Sequence, residues 1–493
     1  MKKEFKELLK SKGLDEMPAV LLVSAECAPL SKTGGLADVA GALPKALAAL
    51  GMDVRVITPY HKVIKDKYAD QVEHMFYFYV QLGWRHEYVG IEKLVLDGVT
   101  IYLVDNEHYF GSGKIYLGGE PEGEQYSFFT RAVLDAIPNL DFEPQVVHCN
   151  DWHTAMIPML AKTQYQGGMQ ENLKFLLTIH NIAFQGIYSY EFVKDKLGVD
   201  DAYFTYESLN LNGNPNFLKA GCIYADKINT VSPTYAHEIL TPEYSEGLDS
   251  VLAYRSADLS GIINGIDKTV FNPNADALLP AKYSKGRLKG KAACKAALQE
   301  KMGLEVRPDV PIFAMVTRMT EQKGFDLVAA VLDSLMGTED MQFMLLGTGD
   351  ARFENFMRAA EYRYKGRLCA YIGYSEETSH LVYAGSDFFL MPSRFEPCGL
   401  GQMIAMRYGA VPIVRETGGL KDTVQPYNQY TGEGNGFTFA NYDAWEMRDA
   451  MRRALDCYKN PEVMTGLVSR AMQADFGFEL SAQEYARLYI CML

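Results

Sequence analysis

Residues 19–59, AVLLVSAECAPLSKTGGLADVAGALPKALAALGMDVRVITP, decide the architecture. Residues 19–26 read as a buried strand, 27–35 as a loop, 36–50 as a helix and 53–59 as the next strand. That order opens a parallel sheet with helical crossovers. The pattern returns with a strand at 311–317, a loop at 318–323, a helix at 324–336 and a strand at 341–346. The predicted class is therefore α/β, with two doubly wound halves. Strand candidates at 101–104, 145–148, 175–179 and 227–231 join the first half, and 368–372, 387–391 and 411–414 the second. Between the halves, residues 261–276 carry Asn-Gly, Asn-Pro and Asn-Ala turn steps, which put the domain boundary near Asp267. The domains are expected at 1–267 and 268–480.

A chain of 493 residues exceeds one ordinary core, and 48% hydrophobic content is that of a globular protein. Lys and Arg total 48 against 62 Asp and Glu, a net charge of −14. That balance argues against nucleic acid and against an anionic membrane surface, so an anionic ligand needs a local basic pocket. The eight cysteines stand singly, with no CxxC pair and no zinc-finger spacing. They are read as reduced thiols of a cytoplasmic protein. Residues 1–13 lack the apolar core of a signal peptide, place Phe5, Leu8 and Leu9 on one helical face, and end at Gly13. This helix is expected to serve packing.

In open parallel sheets ligands bind at the carboxyl ends of the strands, and the unusual residues of this chain fall there. After the first strand, Lys32, Thr33, Gly34, Gly35 and Asp38 open a helix. Adjacent glycines admit a ligand to the backbone, the helix end offers unpaired N–H groups, and Lys32 adds a charge. A Gly-Gly turn also occurs as a purely structural device. The second cluster, residues 148–153 (HCNDWH) and 178–186 (TIHNIAFQG), sets polar groups beside aromatics, which suits a sugar. Its histidines equally suit satisfied interior positions. Third, Arg318, Gln322 and Lys323 follow the first strand of the second half. Without an acidic metal cage or a Walker A sequence, paired Arg and Lys are the means of neutralising a leaving diphosphate, unless they are solvated surface charges. Fourth, residues 393–401 (SRFEPCGLG) put the Glu396 carboxylate beside helix N–H donors. Residues 415–422 echo the first Gly-Gly loop and could serve packing alone.

Taken in order, the blocks KTGGLADV, DWHT, TIHNIAFQG, NFLKAG, TVSPTYA, NGID, QKG and SRFEPCGL resemble those of the bacterial glycogen and plant starch synthases, from about residue 20 to 489. The resemblance implies two Rossmann-like domains facing across a cleft, the GT-B arrangement, with a C-terminal helix from about 481 crossing back. It implies a retaining, metal-independent hexosyltransferase with no cofactor, moving glucose from ADP-glucose to the non-reducing end of an α-1,4-glucan in the cytoplasm, or in a plastid if the source is a plant. Lys32, Gly34, Gly35 and Asp38 would contact donor or acceptor, and Asp151, His180, Asn181 and Asn264 the sugar side. Arg318 and Lys323 would hold the diphosphate, Glu396 the transferred glucose, the backbone of Cys398, Gly399, Leu400 and Gly401 the phosphates, and Tyr374 the base. This chain departs from the pattern at Asn150, Gly401 and Phe478, where His, Ser or Thr, and Trp are usual, and carries Ile404 where many related retaining transferases have a second Glu. Rival readings are a transferase of the same architecture with another acceptor, an α-glucan phosphorylase, which needs a pyridoxal-phosphate lysine and a longer chain, and a non-catalytic glucan-binding protein.

Overall fold

The computed structural model describes residues 3–493 and divides into two compact units, the chain up to Gly265 together with Phe478–Leu493, and Ile266–Gly477. The division thus lies between Gly265 and Ile266, two residues before the expected Asp267, and the C-terminal helix begins at Phe478 rather than near 481.

The first unit contains β1 (Val20–Val23), β2 (Val54–Pro59), β3 (Glu73–Leu82), β4 (Arg85–Leu96), β5 (Val99–Asp105), β6 (Val146–Asn150), β7 (Lys174–Ile179), the small pair β8 (Asn210–Leu211) and β9 (Asn214–Pro215), β10 (Lys227–Thr230) and β11 (Leu259–Gly261). Nine of these form one sheet in the order β11-β10-β7-β6-β1-β2-β5-β4-β3, parallel as far as β5 and antiparallel across β4 and β3. All four residues of β1 are buried. Leu21 and Val23 enter one core with Ile57, Tyr102 and Phe128, while Val20 and Leu22 enter the other. A strand covered on both faces has no polar side, so it reads as an unbroken apolar run. Each such side chain stabilises the fold by roughly 1.5–3 kcal/mol.

The second of these cores is closed by the helices Lys3–Lys12, Gly35–Ala49 and Phe478–Met492, which contribute Phe5, Leu9, Val39, Leu43, Tyr485 and Tyr489. Phe5 and Leu9 are the buried face anticipated for the first helix, whose expected residues 1 and 2 lie outside the described residues. The last helix is also tied to the sheet by hydrogen bonds. The Tyr489 hydroxyl pairs with His148 Nδ1 at 2.8 Å, and Asn229 Nδ2 donates to the Tyr485 hydroxyl at 2.8 Å.

The second unit holds β12 (Ile312–Val316), β13 (Gln342–Gly347), β14 (Leu368–Ile372), β15 (Phe388–Met391), β16 (Val411–Arg415) and β17 (Phe437–Phe439) in the wholly parallel order β14-β13-β12-β15-β16-β17. Where the chain enters and leaves this unit, Ile266 N–H donates to the Phe476 carbonyl at 2.7 Å. The order of crossovers reverses at β1, flanked by β6 and β2, and at β12, flanked by β13 and β15. At such switch points neighbouring connections diverge to opposite faces and leave a crevice beyond the strand ends. Every strand read from the sequence is present, whereas β3, β4, β8, β9, β11 and β17 had gone unread. No helix among the described residues is long and apolar enough to cross a membrane.

Candidate functional site

The loop after β1 is organised by a residue that sequence reading missed. Glu26 is 2% exposed, and its Oε2 accepts from the Thr33 N–H at 2.5 Å and the Thr33 hydroxyl at 2.8 Å. The carboxylate therefore anchors Lys32, Thr33 and Gly34 as they lead into the helix that begins at Gly35. Burial pushes the Glu26 pKa up, the two Thr33 hydrogen bonds oppose this, and negative Asp38 adds to it. Lys32 and Asp38, expected as ligand contacts, pair with each other at 2.6 Å on a partly exposed surface.

Asp151 follows β6 in a backbone conformation rare for a side-chain-bearing residue, φ 56° and ψ −176°. The strain is held by a hydrogen bond from its N–H to the Thr178 carbonyl at 2.9 Å, and its carboxylate accepts from the N–H groups of His180 at 2.7 Å and Asn181 at 3.4 Å. Burial raises its pKa to about 7 against the lowering effect of those two donors. Asn150, a departure from the family pattern, donates through Nδ2 to the carbonyls of Val23 and His148, so its Oδ1 is left to accept from His180 Nε2 at 2.9 Å. This fixes the tautomer: His180 carries its proton on Nε2 and a lone pair on Nδ1. Burial of the ring pulls its pKa to about 3, so it stays neutral at physiological pH.

The other two histidines of the cluster serve differently. His148 is wholly interior, with Nδ1 on Tyr489 and Nε2 on the Thr178 hydroxyl at 2.7 Å. His153 is buried among Tyr116, Tyr126 and Trp152. Gly186, at φ +63°, lies so close to Trp152 that an added Cβ would fall 2.3 Å from the indole. Asn264, beyond β11, is 5% exposed, and its Oδ1 has no partner among the described residues. A buried acceptor in that state suits a ligand hydroxyl.

In the second unit the loops after β12 and β15 meet. Lys323 Nζ donates to Glu396 Oε2 at 2.6 Å, the Ser393 hydroxyl donates to the same oxygen at 3.0 Å, and Arg394 N–H donates to the Gln322 carbonyl at 2.8 Å. The two cations differ: Lys323 is locked to a buried carboxylate, whereas Arg318 is exposed and its guanidinium has no ion pair or hydrogen bond among the described residues. The echoing Gly-Gly loop braces this turn. Gly419 N–H donates to the carbonyls of Glu396 and Pro397, and a Cβ at Gly418 or Gly419 would stand 1.9 or 2.1 Å from the carbonyl oxygens of Glu396 or Cys398. Gln402 Nε2 holds the Cys398 and Gly399 carbonyls at 3.1 and 2.8 Å, and Leu400 caps the short helix that starts at Gly401.

Arg394 and Arg415, also unread, lie over the ring of Tyr442 at 4.7 and 5.8 Å, and the Tyr442 hydroxyl is bound by Asp326 and the Glu321 carbonyl. Tyr374, in the loop after β14, presents a 72% exposed ring. The loops after β1 and β6 in the first unit, and after β12 and β15 in the second, thus carry their residues at the two switch points, whereas Asn264 and Tyr374 follow the edge strands β11 and β14. Among the described residues no three His, Cys, Asp or Glu side chains converge as metal ligands do.

Residues 19–254 match the family model of the starch synthase catalytic domain, and residues 299–466 match that of glycosyl transferases group 1. The chain is 48% identical over 471 residues to the glycogen synthase of Geobacillus thermodenitrificans, covering 95% of this chain and 97% of that protein. It is 46% identical to the glycogen synthase of Bacillus subtilis over the same shares. Among solved structures, the catalytic domain of starch synthase IV from Arabidopsis thaliana, bound to ADP and acarbose, aligns with a TM-score of 0.89 at 32% identity, over 97% of this chain and 99% of that one. With its two α/β units, its paired loop clusters and relatives of this closeness across its length, the chain belongs to the family of glycogen and starch synthases, enzymes that transfer glucose.

Proposed function

We propose that this enzyme transfers glucose from ADP-glucose to the non-reducing end of an α-1,4-glucan with retention of configuration and without a metal ion, in the cytoplasm. The observation that carries this reading is the 2.6 Å pair of Lys323 with buried Glu396, beside unpaired Arg318 at the second unit's switch point. A leaving nucleoside diphosphate gains charge as the C1–O bond breaks, and two cations at one strand mouth stabilise that charge. Arg318 is available for bidentate contact with phosphate oxygens, and Lys323 supplies a point charge positioned by Glu396. Glu396, held by Lys323 and Ser393, positions the glucose hydroxyls. It orients the sugar, and no covalent glycosyl-enzyme step is assigned to it.

The acceptor O4 forms the new bond to C1 from the face the diphosphate leaves, and its proton passes to the departing phosphate oxygen. In the first unit, neutral His180, Asp151 and the unpartnered Asn264 oxygen are the groups that meet sugar hydroxyls. The ADP bound to starch synthase IV supports an adenine nucleotide, for which the exposed Tyr374 ring offers a stacking face.

The test is incorporation of labelled glucose into glycogen from ADP-glucose and, separately, UDP-glucose, with and without a chelator, followed by digestion with an α-1,4-specific amylase. Amylase-sensitive product from ADP-glucose in chelator is expected. Incorporation only from UDP-glucose overturns the donor, and loss in chelator overturns metal independence. No incorporation from either donor by folded enzyme overturns the reading.

A further inference from the structure

The β3–β4 hairpin carries a surface that the reaction does not use. It forms the free edge of the first sheet, four strand positions from β1, or about 19 Å at the usual strand spacing. Along β3, Phe76, Phe78, Val80 and Leu82 turn inward, while Tyr77 and Tyr79 stand outward, 63% and 60% exposed. Tyr88 on β4 joins them. It lies near-parallel to Tyr77 at 5.9 Å and meets Tyr79 edge-on at 6.1 Å. At the tip, Trp84 is 75% exposed, with the Arg85 guanidinium covering one ring face at 4.6 Å. Trp84 also borders a depression of about 690 Å³ walled by Gln81, Lys194, Asp195, Asp200 and Asp201.

Soluble proteins rarely leave large rings side by side in water without a ligand or partner for them. The chemistry here selects the occupant. Flat ring faces receive the apolar face of a pyranose, and carboxylates and an amide accept its hydroxyl protons. Beside the tryptophan Asp195 pairs with Arg85 at 3.1 Å and Asp201 with Lys194 at 2.8 Å, so the depression has a charge-balanced lining that suits a neutral ligand, and the chain's net charge of −14 disfavours anionic surfaces. The position fits as well. In the β4–β5 register Gly90 faces Asp105, the last residue of β5, so residues 85–89 and the hairpin tip project past the carboxyl end of β5. This is the rim that bears the loops after β1 and β6. We propose that the outer face of this hairpin and the depression at its tip bind an α-glucan chain, retaining a polymeric acceptor beside the residues that contact its end. The identity of the ligand rests on the glucan-synthase reading above.

The test uses the full chain carrying Tyr79→Ala and Trp84→Ala together, with Tyr79→Phe and Trp84→Phe as the conservative pair. Three quantities are read: retardation in native gels containing glycogen, KM for glycogen, and KM for maltotriose. Wild type is expected to be retarded. The alanine pair should lose the retardation and raise the glycogen KM about tenfold, with the maltotriose KM and the melting temperature unchanged, while the phenylalanine pair behaves as wild type. Equal retardation and equal glycogen KM in the alanine pair overturn the proposal. So does a change confined to the sedimentation of the protein alone, which would make the edge a contact between copies of the chain. The two readings fail separately. Retardation that depends on Tyr79 and Trp84 without any transfer overturns the transferase assignment alone, whereas transfer without such retardation overturns the surface alone.

Discussion

At the scale of single residues, the contrast between Arg318 and Lys323 is open to measurement. Arg318 is exposed and unpaired, so Arg318→Ala is expected to leave thermal stability unchanged while lowering kcat ~100-fold or more through lost stabilisation of the diphosphate. Lys323→Ala should lower kcat comparably and also destabilise the fold by about 3 kcal/mol, because it strands the buried Glu396 carboxylate. Saturating transfer assays with urea titrations check both, and equal stability losses in the two variants would refute the distinction. Asp151 gives a pH signature. Its folded pKa is raised from 3.8 to about 7, so between these values the folded state holds a proton that the unfolded state has lost. The stability this contributes is complete below about pH 3.8 and disappears as pH rises through 7. Asp151→Asn should therefore remove part of the fall in stability between pH 4 and 7, and parallel stability curves for both proteins count against it. Glu396, Lys323 and Arg318 could be read in advance because their type and loop position already imply charge chemistry. Glu26 could not, since an acid closing an apolar run looks like the rest of the strand until Thr33 folds back on it. Nor could the clamp on His180, because Asn150 acts through where the folded chain directs its amide.

Among the elements, the buried parallel strands announce themselves as apolar runs between turn residues. The β3–β4 hairpin does not, because aromatic residues on both of its faces erase the alternation that would mark a half-buried strand. The Gly-Gly loop near 418 was legible as a turn but its purpose was not, since that depends on contact with a carbonyl about twenty residues away. A pair of substitutions tests this bracing. Gly419→Ala places a methyl 2.1 Å from the Cys398 carbonyl oxygen and should cost about 1–3 kcal/mol while nearly abolishing transfer, as the Glu396 turn is displaced. Gly337→Ala, within the helix Phe325–Thr338 and with nothing within 4 Å of the new methyl, should stabilise by roughly 0.5–1 kcal/mol and leave transfer untouched. Calorimetry with the incorporation assay distinguishes them, and normal activity in Gly419→Ala would show that the loop does not position the turn.

For the whole molecule, the composition of the units sets what can fold alone. Ile266–Gly477 has its own sheet and its two ends are hydrogen-bonded to each other, so this fragment is expected to melt cooperatively by itself. A chain ending at Gly477 uncovers the core around Val20 and Leu22 and leaves His148 and Asn229 without their tyrosine partners, so its first unit should lose its cooperative transition while the second keeps one. Two intact transitions in that truncation, followed by circular dichroism, would sink the argument. The resemblance in the sequence indicated that a last helix crosses back; that this helix completes the first sheet's core emerges only from Tyr485 and Tyr489 reaching His148 and Asn229. On the ribosome this becomes a matter of time. The first unit is synthesised first, yet its final layer emerges only after roughly 200 further residues, a delay of about 10 to 40 seconds at bacterial-to-eukaryotic elongation rates. Throughout that interval the nascent chain exposes a large apolar face, and so it offers a target to chaperones that the finished enzyme does not.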